Sequence, residues 1–313
     1  MPASKKPPLT NSAKAFAPGH LTGFFIAEPS KPDPLWCGSR GAGLSLAKGV
    51  TTSVTILPES ASFSPVLING KETCEAVVTN TLLAFFKERV KLAQKCKIKV
   101  EHEIAIPIGA GFGSSGASAL SLALALNEVF GRPLSKEETA QLAHLAELNC
   151  RTGLGTVLAD TVGGLEIRIQ AGAPGIGKVN AFPLPEGLRI GCFVFGPLST
   201  PQALADKMTL QLLNALGEEK LAQLQANPTP ANFIQLAAEF TQASGLLSPR
   251  LKNLLQALAR EGIIASMAFF GEVAFFFYGE NFPAPRFGLR KNAIEAGAKF
   301  YSFKAAAQGA TIL

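Results

Sequence analysis

The stretch from Ile106 to Gly131, IPIGAGFGSSGASALSLALALNEVFG, concentrates the residue types that bind anions. Gly109, Gly111 and Gly113 alternate, Ser114 and Ser115 follow, and an apolar helical pattern takes over. A glycine-rich turn that opens a helix aims backbone N–H groups at a ligand, and the helix dipole favours negative charge there. Glycine is required where the backbone must take positive φ and approach a phosphate closely. Three readings compete. Gly111–Gly116 spells GxGxxG, the dinucleotide fingerprint, but that motif needs a buried first strand and an acid ending a second strand about 20 residues on. Here the preceding strand is amphipathic, and Glu137 and Glu138 open a helix. A Walker loop needs a lysine that is absent. What remains is P-x-G-x-G-x-G-S-S-x-A, matched by Pro107, Gly109, Gly111, Gly113, Ser114, Ser115 and Ala117. A plain turn needs neither three alternate glycines nor two hydroxyls. The serines are either helix caps or groups that donate to phosphate and ligate Mg²⁺.

Further along, His144, Glu147 and Arg151 stand at i, i+3 and i+7, so one helix face carries all three. A solvated polar face and a binding site explain that pattern equally well. In the strand LEIRIQ, Leu165, Ile167 and Ile169 face one way, Glu166 and Arg168 the other. Arg168 is a surface arginine or a two-pronged partner for a carboxylate. Ser39 and Arg40 lie in GSRGAG, read as a glycine-rich loop able to close on a substrate. His20 follows the turn-like Ala17-Pro18-Gly19.

These residues need elements to hold them. The chain has 313 residues, 47% hydrophobic and 17% charged, enough for two domains with a sizeable core. VTTSVTIL alternates like a strand, Asn69-Gly70 marks a hairpin turn, and residues 73–94 read as an amphipathic helix. KIKVEHEIAIP alternates cleanly, as in a sheet with one solvated face. Ser135 and Glu138 form a capping box that starts a helix. The Gly- and Pro-rich residues 175–187 suggest a boundary near Pro183. Beyond it come a strand, three helical stretches between about Pro201 and Arg260, two strands, a helix and a short final strand. The domains are therefore expected at 13–183 and 184–313, after a disordered tail at 1–12. No run of 18 apolar residues argues for a membrane span. Five scattered cysteines without CxxC spacing suggest a reducing cytoplasm and no zinc site. The net charge of +6 is dispersed, which favours small anions and gives no nucleic-acid footprint. A homodimer is compatible with the sequence.

The glycine–serine loop resembles the ATP-binding motif of the GHMP small-molecule kinases, the family of galactokinase, homoserine kinase and mevalonate kinase. PGHLTGFF, GSRGAG, HLAELNCRTGLGTV, GGLEIR and the terminal GATIL resemble its archaeal pantoate-kinase branch. The resemblance implies an α+β fold in two parts: an N-terminal mixed sheet with helices that binds ATP, and a ferredoxin-like C-terminal half. It implies ATP and Mg²⁺ as cofactors and pantoate as the small-molecule substrate, made into 4-phosphopantoate on a route to coenzyme A. Other implied readings are a GHMP kinase for homoserine or a mevalonate-type alcohol, and a kinase-fold protein that binds without turnover. It implies Ser115 and Glu147 as Mg²⁺ ligands, with His20, Ser39, His144 and Arg168 at the substrate. Two departures stand out. The last family signature, a C-terminal glycine-rich turn, keeps only Gly271. Many family members carry a catalytic aspartate seven positions before a Gly-Gly pair; here that position is Thr156, which cannot serve as a base near neutral pH. Asp160, one helical turn on, is the candidate to take its place, or else a helix-surface acid.

Overall fold

The computed structural model describes residues 11–197, 207–279 and 281–313. The strands β1 (Ser12–Glu28) and β2 (Gly38–Leu57) pair antiparallel over nearly their whole length. Ser12, expected as the end of a tail, is the first residue of β1, and residues 1–10 of that expected tail lie outside the described residues. Ala17-Pro18-Gly19 and GSRGAG, both expected as turns or loops, are inside these strands. Register shifts at Pro18/Gly19 and Thr22/Phe24 absorb the residues that suggested a turn. Next come β3 (Val66–Ile68) and β4 (Lys71–Glu72), joined by Asn69 and Gly70 at φ 49° and 76°, the tight hairpin expected.

Helix α1 (Val77–Arg89) is shorter than its amphipathic pattern; a 3₁₀ segment, Lys91–Lys95, completes it. Then follow β5 (Lys97–Ile104), α2 (Ser114–Val129), α3 (Lys136–Cys150), α4 (Thr156–Asp160), β6 (Leu165–Gln170) and β7 (Lys178–Phe182). The capping box at Ser135 and Glu138 forms as read. The proposed linker near Pro183 instead holds β7, paired with β6.

The second part runs β8 (Arg189–Pro197), α5 (Lys207–Ala226), α6 (Pro230–Ala243), α7 (Pro249–Arg260), β9 (Ala265–Met267), β10 (Gly271–Tyr278), α8 (Phe287–Glu295) and β11 (Lys299–Phe303). Its four strands are antiparallel in the order β11-β8-β10-β9, the β-α-β-β-α-β arrangement of a ferredoxin-like unit. The last strand, β12 (Thr311–Ile312), returns to the first sheet and pairs with β1. A single cut at 183 thus does not separate the two sheets.

The core is layered around the first sheet. Ala15, Ala17, Val50, Val54, Ile98 and Val100 pack against α1, α2 and α3. The other end of β1, with Leu21, Phe24 and Phe25, joins Phe233 and Phe240 of α6 and Phe275 of β10 in one cluster. All five cysteines are free thiols. Among the described residues no helix is long and apolar enough to cross a membrane.

Candidate active site

Three glycines shape the loop between β5 and α2. Gly109, Gly111 and Gly113 have φ of 71°, 79° and 66°, left-handed values that side chains resist. Ala110 and Phe112 point inward and are buried, while Gly109 stays exposed and Ser114 and Ser115 half-buried. The loop is anchored twice. The His20 N–H donates to the Phe112 carbonyl at 2.9 Å. Gly271 on β10 backs it, because a Cβ on Gly271 would collide with the Ala110 carbonyl. Gly271 thus contributes as a wall, a role that its isolated glycine did not announce. Gly113 caps α2 without a side-chain hydrogen bond, leaving the first-turn amides to a ligand.

Glu147 lies beside the start of α2. Its carboxylate accepts hydrogen bonds from Ser115 and Thr152, and burial still pushes its pKa up to about 7. Glycines make its room: a Cβ on Gly153 would stand 2.6 Å from both carboxylate oxygens, and one on Gly116 3.0 Å from Oε2. Thr156 lies over the same helix start, its methyl 2.8 Å from a Cβ position on Gly116.

On the other side, His20, Glu166 and Arg168 form a buried chain. His20 Nε2–H donates to Glu166 Oε1 at 2.8 Å, and Arg168 Nη1 is ion-paired with the same oxygen at 3.0 Å. Burial holds the His20 pKa below its ordinary value, so the ring is neutral. Glu166 and Arg168 face Gly43 and Gly41 of β2 in the sheet register. A Cβ on Gly43 would overlap the His20 ring, so glycine there is what admits the imidazole. Ser39, on β2 and not on a mobile loop, sits where a Gly155 side chain would be, and that site borders Arg168 Nε at 3.4 Å.

Asp160 ends α4 fully buried, and both its oxygens lack a hydrogen-bond partner. Burial, then the negative charges of Glu147 and Glu166, raise its pKa well above the ordinary carboxylate value; the Arg168 charge opposes this. It is no helix-surface acid. His144 is also buried; it turns toward the backbone of Pro34 and Cys37, and its Nε2 is unpartnered. Arg151 is exposed and caps α3 in the left-handed conformation. Arg40 is engaged by Glu28 and Glu218.

The geometry therefore assembles Ser115, Glu147 and Thr156 at the helix start, and His20, Ser39, Asp160 and Arg168 around Glu166. Pro107 is half-buried at the loop's entry. Sequence reasoning did not single out Glu166. The available signal was a charged pair in an otherwise apolar strand, opposite a Gly-x-Gly strand with no side chains to cover it.

The family model for the GHMP kinases N terminal domain matches residues 76–164, which include the loop, α2, α3 and α4. The pantoate kinase of Thermococcus kodakarensis is 33% identical over 250 residues, 78% of this chain and 80% of that one. This chain belongs to the pantoate kinase family of the GHMP kinases. The pantoate kinase of Methanocaldococcus jannaschii is 29% identical over 260 residues, 83% of this chain and 90% of that one. Among solved structures, a phosphotransferase related to the CoA biosynthesis pathway superposes with a TM-score of 0.82 at 28% identity. That match covers 96% of this chain and 98% of the other. Within the pantoate kinase family, this member carries threonine at 156 and a buried aspartate at 160.

Proposed function

We propose that this protein transfers the γ-phosphoryl group of ATP to the primary hydroxyl of pantoate, with Mg²⁺, giving ADP and 4-phosphopantoate on a route to coenzyme A. The observation that carries the reading is where unpaired polar atoms collect. Among the described residues, the buried side-chain atoms without a partner belong to His144, Asp160, Glu166 and Arg168. Native interiors pair such atoms, so the group that Asp160, Glu166 and Arg168 form beside the glycine–serine loop awaits a polar ligand. The names of the relatives supply the ligand's identity.

Phosphoryl transfer needs alignment and charge neutralisation more than covalent help. The amides of the Gly109–Ser115 loop hold the triphosphate, aided by the dipole of α2. Ser115 and Glu147, in hydrogen-bond contact at the start of α2, would hold Mg²⁺, which would neutralise phosphate charge there. Among the described residues no group of three or more His, Cys, Asp or Glu side chains is placed to hold a metal, and Mg²⁺ in such sites needs none. Arg168 holds the pantoate carboxylate, with His144 and Ser39 lining the acid's site, so that the primary hydroxyl points at the γ-phosphorus. As the hydroxyl oxygen bonds to phosphorus and the bond to the bridging oxygen of ADP breaks, Asp160 in its ionised form accepts the hydroxyl proton, its raised pKa making that carboxylate the stronger base. Free thiols suit a reducing cytoplasm.

The test is a coupled ADP-release assay with pantoate, homoserine, mevalonate, shikimate and galactose. Pantoate should be the acceptor turned over, with 4-phosphopantoate as product. Turnover of another acceptor alone rejects pantoate and retains the kinase chemistry. Nucleotide binding without turnover of any acceptor rejects catalysis.

A further inference from the structure

Glu166 is pinned at one oxygen and vacant at the other. A hydrogen-bond donor, His20 Nε2–H, and the Arg168 guanidinium at Nη1 converge on Oε1 at 2.8 Å and 3.0 Å. Oε2 is buried with no partner, and so is Nε of Arg168. The two residues stand two apart on β6, so their side chains lie side by side on one face. Both are sealed from water, at 0% and 1% exposure. Opposite them β2 presents Gly43 and Gly41, which put no side chain over the pair. The result is one fixed acceptor next to one fixed donor set in a low-dielectric wall.

We infer that Glu166 Oε2 reads the hydroxyl next to the substrate's carboxylate, which makes the site a selector for 2-hydroxy acids. The inference rests on the pantoate reading. Pantoate carries a carboxylate and a hydroxyl on adjacent carbons. A carboxylate takes the free edge of Arg168, and the neighbouring hydroxyl donates to Glu166 Oε2. An acid with hydrogen at that carbon leaves Oε2 unpaired. A 2-oxo acid is worse, since its carbonyl sets an acceptor against an acceptor. Sites built to bond a substrate hydroxyl reject analogues lacking it because their own buried group is stranded. Gly155 forms the wall beside Arg168 Nε, where its missing side chain leaves Nε uncovered.

The lock at Oε1 also makes a sharp experiment. In Glu166→Gln, His20 and Arg168 both demand an oxygen at the Oε1 position, so the amide NH₂ must occupy the Oε2 position. An acceptor becomes a donor at the atom in question. Initial rates are measured with pantoate, its 2-deoxy analogue (4-hydroxy-3,3-dimethylbutanoate) and its 2-oxo analogue (4-hydroxy-3,3-dimethyl-2-oxobutanoate). The natural enzyme should favour pantoate over both by roughly 100-fold or more in kcat/KM. Glu166→Gln should lower the pantoate-to-2-oxo ratio by at least about tenfold, while a merely structural Glu166 would depress all three substrates and leave the ratio unchanged. An unchanged ratio overturns the inference. Should the variant fail to fold, the natural enzyme alone decides: equal use of pantoate and its two analogues overturns the inference, and strong preference supports it. A natural enzyme that uses no pantoate overturns the underlying reading as well, whereas pantoate turnover without discrimination overturns this inference only.

Discussion

Gly111 and Gly271 meet backbone to backbone. A Cβ on Gly111 would lie 2.8 Å from the Gly271 nitrogen and 3.0 Å from the Ala268 carbonyl oxygen. The glycine–serine loop is therefore braced by the second sheet, and its glycines do different jobs. Gly111 is needed for packing as well as for its positive φ. Gly109 has the same kind of φ, but its nearest neighbour is Pro197 Cβ at 3.9 Å.

Two substitutions separate these jobs. Gly111→Val should cost both folding and nucleotide binding, because the branched side chain has no space and the wrong conformation. Gly109→Ala has space, so it should strain only the loop, at about 1 kcal/mol, and weaken ATP binding while the thermal midpoint moves by a few degrees. Nucleotide titration and thermal unfolding on both variants check this. Unaltered ATP affinity in a folded Gly109→Ala and Gly111→Val pair would place the phosphate site elsewhere.

What the sequence revealed divides along the length scale of its signals. The Asn69-Gly70 hairpin, the Ser135–Glu138 capping box and the glycine–serine loop are local, and each formed as read. The long β1–β2 pair was hidden because Pro18 and the glycines of GSRGAG resemble turn residues. In the folded chain Pro18 sits at a register shift, Gly43 serves the close approach of His20, and Gly41, at φ 130°, that of the Phe24–Phe25 backbone. His20 and Glu166 are 146 residues apart, and no periodicity links them. Arg168 was legible only as one of two readings, because alternation in a strand does not tell a buried polar face from a solvated one.

Arg168 has a double duty. Arg168→Met removes the proposed carboxylate partner and also strips Glu166 of one donor. The KM for pantoate should rise roughly 30- to 1000-fold, the scale of losing one member of a desolvated charged pair. Stability should fall by about 3–5 kcal/mol, since a buried carboxylate loses its cation. Arg168→Lys should regain part of the stability but little of the affinity, because an ammonium cannot reproduce the guanidinium's fork. Equal losses of ATP and pantoate affinity in Arg168→Lys would argue that the residue is purely structural.

Asp160 offers a sign that separates function from stability. Its folded pKa is raised above its unfolded value, so the unfolded chain releases the proton more readily. Stability tied to Asp160 is full at low pH and is lost as pH rises from the unfolded pKa toward the folded one. Asp160→Asn cannot ionise and should be more stable than the natural protein at neutral pH. The same variant should lose about 100-fold in kcat if Asp160 takes the substrate proton. Thr156→Asp in that background should recover activity if a carboxylate one turn earlier can substitute. Natural kcat in Asp160→Asn would show that transfer proceeds without a base.

The last prediction concerns how the loop's helix is held. His102 of β5 is buried with its ring in a line of hydroxyls: Thr79 Oγ1 is 3.0 Å from Nε2, and Thr52 Oγ1 is 2.8 Å from Nδ1. Thr52 continues to Ser121 of α2 at 2.6 Å, and Ser121 donates to the Ala117 carbonyl at 2.7 Å. Because Ser121 spends its proton on that carbonyl, it must accept from Thr52. Thr52 must then accept from His102, so the ring carries its proton on Nδ1 and accepts from Thr79 at Nε2. The line ties α1, β5, β2 and α2 together one turn and a half behind Ser115. Burial pushes the His102 pKa down to about 4. The unfolded chain takes up this proton near pH 6.5 and the folded chain only near 4, so stability falls as pH drops through that window. The loss from this residue reaches about 3 kcal/mol by pH 4, the product of the shift and 1.36 kcal/mol per unit. Denaturant unfolding at pH 7.5 and pH 5 should show the loss in the natural protein and a smaller one in His102→Asn, which has no proton to gain. His20 and His144, also buried and held neutral, supply the slope that remains in the variant. An identical pH dependence in both proteins would mean that His102 charges without cost, and that the hydroxyl line does not restrain the helix.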